Sequence, residues 1–365
     1  MTSQRALPTP HGGWLARHRG KLALSTLIGL GFVWVLHAGA LPLLPSRHSL
    51  AGVRWWTFAA YLALWSVVHW IRAVRWQWLL APLAQVPRSR VVHVSFIGFL
   101  AIVLLPFRTG EMVRPVMIRR KGELSGWAAT GTIAAERVID GLVLTLMLWI
   151  ALMVSSPLDP LPDKIGELPI PAAVVPTATY AALALFGTAF VAMGLFFAKR
   201  ALARRLVALL VGWASPRLSE WLSERVEKVA SGLSFLPRAK ESGWFVAATI
   251  LYWVLNAAAG WLLAWGAGLS GMDFWHSAVV TGVLALGILL PNAPGFFGAF
   301  QVSVYAALAI YFDPREVTGA GSAYVFLLYV GQLLVTLGAA AWAMARQHTS
   351  WTEALESETA ALDEA

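Results

Sequence analysis

On either side of the polar turn 119–123, six charged side chains lie in sequence otherwise apolar enough to sit in a bilayer: Arg108, Glu111, Arg114, Glu136, Arg137 and Asp140. Near the bilayer centre each Arg or Asp costs about 2.5–3.5 kcal/mol on insertion scales. Such residues either serve a ligand or neutralise one another. In Arg108-Thr109-Gly110-Glu111-Met112-Val113-Arg114-Pro115, Glu111 is three residues from each arginine and can pair with either on a helical turn. Gly110 permits close backbone approach, and Pro115 limits the helix before it. Two guanidiniums sharing one carboxylate leave a positive charge that a phosphate would satisfy by bidentate hydrogen bonding. The alternative is a structural network that fixes the segment.

A second constellation, Glu136-Arg137-x-x-Asp140, puts two carboxylates on one helical face with Arg137 one residue round. They could orient an arginine, relay a proton or meet a cationic headgroup; equally, they could neutralise Arg108 and Arg114 across a helix pair. The six formal charges cancel, three arginines against three acids, and the sequence leaves both uses open. A third candidate carries no charge. In Pro291-Asn292-Ala293-Pro294-Gly295-Phe296-Phe297-Gly298-Ala299-Phe300-Gln301, prolines and glycines break a helix and free backbone groups at depth. A half-helix starting near Phe296 would aim its positive N-terminal end into the membrane, where an anion could bind. A simple kink would read the same. Substrate contacts are expected from all three motifs, with Pro291, Asn292, Pro294, Gly295 and Gln301 contributed by the last.

The elements that must position these motifs are membrane helices. The chain has 365 residues, 58% hydrophobic and 13% charged, with 19 Trp and no Cys. A soluble domain carries about a quarter charged residues, and the apolar excess here falls in segments long enough to span a bilayer. The expected fold class is an all-α polytopic membrane protein. Lacking cysteine, the chain has no disulfide framework, thiolate metal site or cysteine nucleophile. Its eight histidines have no metal-ligand spacing, and no phosphate loop or Ser/His/Asp arrangement is present. Neither an enzyme, a cofactor nor a metal is expected. The net charge of +9 comes mostly from loop Lys and Arg, which set topology, and no nucleic-acid recognition motif accompanies it.

Eight apolar stretches stand out, 22–44, 55–71, 91–105, 138–155, 172–198, 244–269, 274–290 and 322–344, with a ninth at 296–312. If every main segment crossed once, the basic 199–243 connection would fall outside and the acidic loop with Asp159, Asp163 and Glu167 inside. Both placements oppose the positive-inside rule. One change repairs both: 91–120 dips in and returns to the cytoplasm through Arg114, Arg119, Arg120 and Lys121, and 274–312 dips in from outside. The expected architecture is an inverted-topology repeat within one transmembrane domain, 22–345. Each half, 22–155 and 172–344, holds three transmembrane helices and a re-entrant hairpin. Inverted repeats with broken helices at mid-membrane are a transporter signature.

Residues 1–21 hold Arg5, Arg17, Arg19 and Lys21 and no acid, as a cytoplasmic tail should. Within 199–243, Leu218, Trp221, Leu222, Val226, Val229 and Leu233 recur at helical spacing between charged residues. That pattern describes an amphipathic cytoplasmic helix, suited to an anionic lipid surface or to packing on its own bundle. Residues 346–365, rich in Glu, read as an acidic disordered tail, so both termini are expected in the cytoplasm. Arg72 and Arg75-Trp76 close the second apolar run and are expected to snorkel to headgroups.

Together, Arg108-x-Gly110-Glu111-x-x-Arg114-Pro115, Glu136-Arg137-x-x-Asp140 and Pro291-x-x-Pro294-Gly295-x-x-Gly298 resemble the lysylphosphatidylglycerol synthase transmembrane-region family. That family includes the flippase half of the multiple peptide resistance factor, and the resemblance covers about residues 20–345. It implies movement of lipids, such as aminoacylated phosphatidylglycerol or lipid-linked precursors, between leaflets of a bacterial inner membrane. The family usually has Pro-Gly-Gly and an acid where this chain has Pro294-Gly295-Phe296 and Gln301, which removes the carboxylate a proton-coupled role there would use. The soluble aminoacyl-transferase domain of full synthases is not expected, nor is lipid aminoacylation. The leading expectation is a non-ATP-driven lipid flippase or scramblase for an anionic or zwitterionic phospholipid. Arg108 and Arg114 would hold the headgroup, with the other charges tuning them. The alternatives are an accessory or scaffold subunit of an envelope-lipid synthase and, third, a lipid-modifying enzyme using Glu111 or Asp140. A lipid synthase or a second copy would then be the protein partner.

Overall fold

A computed structural model describes residues 14–105, 110–119, 123–199, 209, 215–289 and 293–347. The elements are α1 (Trp14–Ala38), α2 (Arg47–Ala51), α3 (Trp55–Val74), α4 (Trp76–Leu80), α5 (Arg88–Leu104), α6 (Val113–Ile118), α7 (Gly126–Val154) and α8 (Val174–Ala198). They continue as α9 (Pro216–Ser231), α10 (Ala239–Ala267), α11 (Phe274–Gly287), a 3₁₀ turn at Pro294–Phe296, α12 (Ala299–Leu308), α13 (Pro314–Thr318) and α14 (Ala320–Gln347). Among the described residues, five helices are long and apolar enough to cross a membrane, α3 with α4, α7, α8, α10 and α14; the apolar part of α1 is Thr26–Ala38. Much of this apolar surface has no protein partner: Leu27, Leu185 and Val191 are more than half exposed. Contiguous apolar surface of this kind is stable only against lipid. The protein is an all-α polytopic membrane protein.

Local chemistry explains where the helices stop. Ser125 caps α7 by accepting from the Trp127 amide, and Asp273 caps α11 by accepting from Trp275 and His276 amides. Gly268 ends α10 in the left-handed conformation. Helix α7 starts at Gly126, well before the apolar stretch 138–155, and α1 begins at Trp14, inside the expected tail. Of the 199–243 connection, α9 is a separate helix packed on α7, where a side chain at Gly131 or Gly232 would strike the opposing backbone. The acidic stretch after Gln347 lies outside the described residues.

Let the proximal end of the bundle be the one where α7 begins, and the distal end the one where it finishes. The limbs α5 and α6 form a hairpin open at the proximal end, where Arg90 Nη2 donates to the Met117 carbonyl at 3.1 Å. The limbs α11 and α12 form a second hairpin, open distally: His276 packs on Tyr311 at 4.4 Å, and Tyr311 bonds Ser155 beyond the end of α7 at 2.6 Å. The two hairpins therefore enter from opposite ends. Their contacts mirror each other, for α5 packs on α14 and α11 packs on α7, while α3 and α10 pack together between them. The 3₁₀ turn of the second hairpin rests on α5 of the first, so the two hairpins meet inside the bundle.

Candidate functional site

The charged residues converge beneath that meeting point, around a residue expected at the surface. Arg75, between α3 and α4, is fully buried rather than snorkelling, because the apolar run continues through Trp76, Leu79 and Leu80. Its guanidinium forks onto Asp140, with Nη1 to Oδ1 at 2.5 Å and Nη2 to Oδ2 at 2.6 Å, and Nη1 also reaches Thr249 Oγ1 at 2.6 Å. Phe245 and Tyr252 flank it, 4.9 and 4.6 Å from ring centroid to guanidinium carbon. A bidentate pair walled by aromatics is the geometry in which a buried charge is tolerated.

Arg114 pairs with Glu136 of α7, 22 residues on. It forks onto Glu136 at 3.0 and 3.1 Å and lies 4.2 Å over the Trp76 ring. Glu136 also accepts from Arg137 at 2.8 Å and lies 3.4 Å from Arg75. One carboxylate thus serves three arginines. Trp76, wedged under Arg114, donates its indole N–H to Thr132 Oγ1 at 2.9 Å. Room for Arg114 comes from Gly98 on α5, where any Cβ would overlap the arginine's Cγ. This network binds α3, α6 and α7 together and leaves Arg114 completely buried.

Above the network, between the two hairpins, is a cavity of about 340 Å³. Its charged end is formed by Arg72, Glu111, Arg137 and Asp140; Asn256, Thr281, Gln332 and Thr336 add neutral polar side chains, and His69, Trp65, Tyr252, Trp253 and Tyr329 add rings that carry a polar atom. Phe99 and Ile102 of the first hairpin and Leu284, Ile288, Phe296 and Phe300 of the second supply apolar wall. Phe186 on α8 closes one side, packed where Gly141 of α7 leaves space. Cavities of this size, mostly apolar with a few convergent polar groups, are where small molecules and headgroups bind.

The expected site residues therefore divide. Glu111, Arg137, Asp140 and Gly295 line the cavity. Arg114 and Glu136 belong to the buried network beneath it, which removes Arg114 as a headgroup ligand in this conformation. Gly110 packs directly on the α5 backbone at Ala101, tightening the hairpin and not lining the cavity. Gln301 accepts the Gly298 amide at 2.7 Å and so caps α12; Pro294 is exposed. Arg108, Pro291 and Asn292 lie outside the described residues. Sequence reasoning missed Arg72, Arg75 and His69. Counting Arg72 and Arg75 also changes the charge sum: among the described residues four arginines, Arg72, Arg75, Arg114 and Arg137, meet three carboxylates. The cluster is net positive, not neutral.

A search of curated proteins returned no match, and neither did a search of solved structures. The family model for the lysylphosphatidylglycerol synthase TM region matches residues 21–341. That span contains both hairpins, the ion-pair network and the whole cavity wall, and the chain belongs to the lysylphosphatidylglycerol synthase transmembrane-region family.

Proposed function

We propose that the protein is a non-ATP-driven lipid flippase or scramblase that moves a phospholipid between the leaflets of a bacterial inner membrane. The observation that carries this reading is an amphipathic cavity between two hairpins that enter from opposite ends of the bundle. Its charged end suits a headgroup and its apolar wall suits the chain-proximal part of a lipid, while the acyl chains stay in the bilayer. Family membership supports a lipid-handling role for the membrane domain. On the charge rule the proximal end is cytoplasmic: Arg88, Arg90, Arg217, Lys228 and Lys240 gather there, and Asp159, Asp163, Glu167 and Asp273 lie distally. Both termini are then cytoplasmic. Helix α9, with Arg217 and Leu218 exposed, would sit against anionic lipid on that face.

The test is reconstitution of the purified protein alone into vesicles carrying a trace of fluorescent phospholipid, followed by quenching from outside. Without ATP, the protein should expose the inner-leaflet probe well above the rate of empty vesicles. No acceleration for any headgroup, with the protein folded, would contradict transport and leave an accessory role in lipid synthesis.

A further inference from the structure

Arg72 differs from every other arginine at the site. Arg75, Arg114 and Arg137 each hold a carboxylate, whereas Arg72 has none within ion-pair distance among the described residues; its guanidinium lies over the Phe99 ring at 4.3 Å and lines the cavity. The carboxylates of the site are already committed. Both oxygens of Asp140 are held by Arg75, Glu136 is shared by three arginines, and Glu111 is engaged and acts on Arg137. The wall also has surplus donors. Trp65, Trp253 and His69, the last one turn from Arg72, line the cavity, and their ring nitrogens, buried within the wall, meet no acceptor. Indole N–H can only donate, and a buried donor left unmatched is a standing cost.

A ligand that answers these features brings negative charge and several acceptor oxygens, and no ammonium group. We infer that the cavity selects an anionic phosphodiester headgroup with its ester oxygens over an aminoacylated, cationic one, and that Arg72 is the residue that recognises it. This rests on the lipid-transport reading and narrows its substrate class. Arg72 supplies the charge-assisted contact to phosphate, with Phe99 holding the guanidinium plane. On binding, His69, Trp65 and Trp253 turn their buried ring nitrogens to the remaining oxygens. A lysyl headgroup would bring an ammonium to a wall that has no carboxylate to spare.

The test is binding, read separately from transport. Purified full-length protein is titrated with dihexanoyl phosphatidylglycerol, its lysyl ester, dihexanoyl phosphatidylcholine and glycerol 3-phosphate, with tryptophan fluorescence as readout. Phosphatidylglycerol should bind about tenfold tighter than its lysyl ester, and Arg72→Gln should remove about tenfold of that affinity, the size of one charge-assisted hydrogen bond. Arg72→Lys should recover part of it, since lysine keeps the charge without the fork. Equal or tighter binding of the lysyl ester, or unchanged affinity in folded Arg72→Gln, overturns the inference. Glycerol 3-phosphate binding as tightly as the lipid would reassign the site to a soluble phosphate. If Arg72→Gln does not fold, Trp253→Phe decides, because it deletes only the indole donor and should weaken phosphatidylglycerol about threefold; no change there together with no headgroup preference overturns the proposal. Preference without translocation would refute the transport reading alone, and translocation without preference would refute this one alone.

Discussion

Arg72 and Arg75 sit three residues apart at the same end of one helix, yet their surroundings are opposite. Arg75 is sealed, with two oxygens of Asp140 and a threonine hydroxyl on its guanidinium. Arg72 lies on an aromatic ring at the edge of an open cavity, without a carboxylate among the described residues. The contrast separates two uses of charge inside a membrane protein. Paired charge joins helices and fixes their register, and an unpaired charge at a cavity wall is kept for a ligand. Most of the charge that drew attention in the sequence belongs to the first kind.

That separation can be broken by substitution. Glu136→Ala should have the largest effect on stability, since it strips a carboxylate from three buried arginines; removing one partner of a buried pair costs about 3–5 kcal/mol. Thermal unfolding in detergent measures it, and a melting curve like the wild type's would mean the network is not a framework. The second hairpin is held without charge, by close packing and caps. Gly298 has φ of 86° with Phe32 against it, so Gly298→Ala should cost about 1–3 kcal/mol in the same assay. Gln301→Leu removes the side-chain cap on α12 and should cost about 1 kcal/mol. Arg72→Gln should change stability least, by less than about 1 kcal/mol, because only a cation–π contact is lost. A loss comparable to that of Glu136→Ala would place Arg72 in the framework and erase the distinction.

The helices and the break in the second hairpin were legible in the sequence because they follow from local chemistry: apolar length, and prolines and glycines around 291–298. The meeting of the Glu136-Arg137-x-x-Asp140 motif with an arginine was legible too. Arg114 was among the partners named, and Arg75 was not. Arg75 finds Asp140 across 65 residues, and Arg114 finds Glu136 across 22 while Glu111 lies three away. Pairing at that range is decided by helix packing, which spacing does not encode. Arg75 also stood at the end of an apolar run whose continuation through Trp76 and Leu80 was the missed sign of burial. Gln301 and Gly110 looked like ligand contacts because cap and close-packing residues share the types of site residues. Arg72 could be singled out only by what fails to pair with it.

The most direct measurement is phospholipid translocation by Arg72→Gln in proteoliposomes, beside wild type and with melting temperature recorded for both. The account predicts a mutant that melts like the wild type and has lost most of its translocation. A folded Arg72→Gln protein moving lipid at the wild-type rate would contradict it.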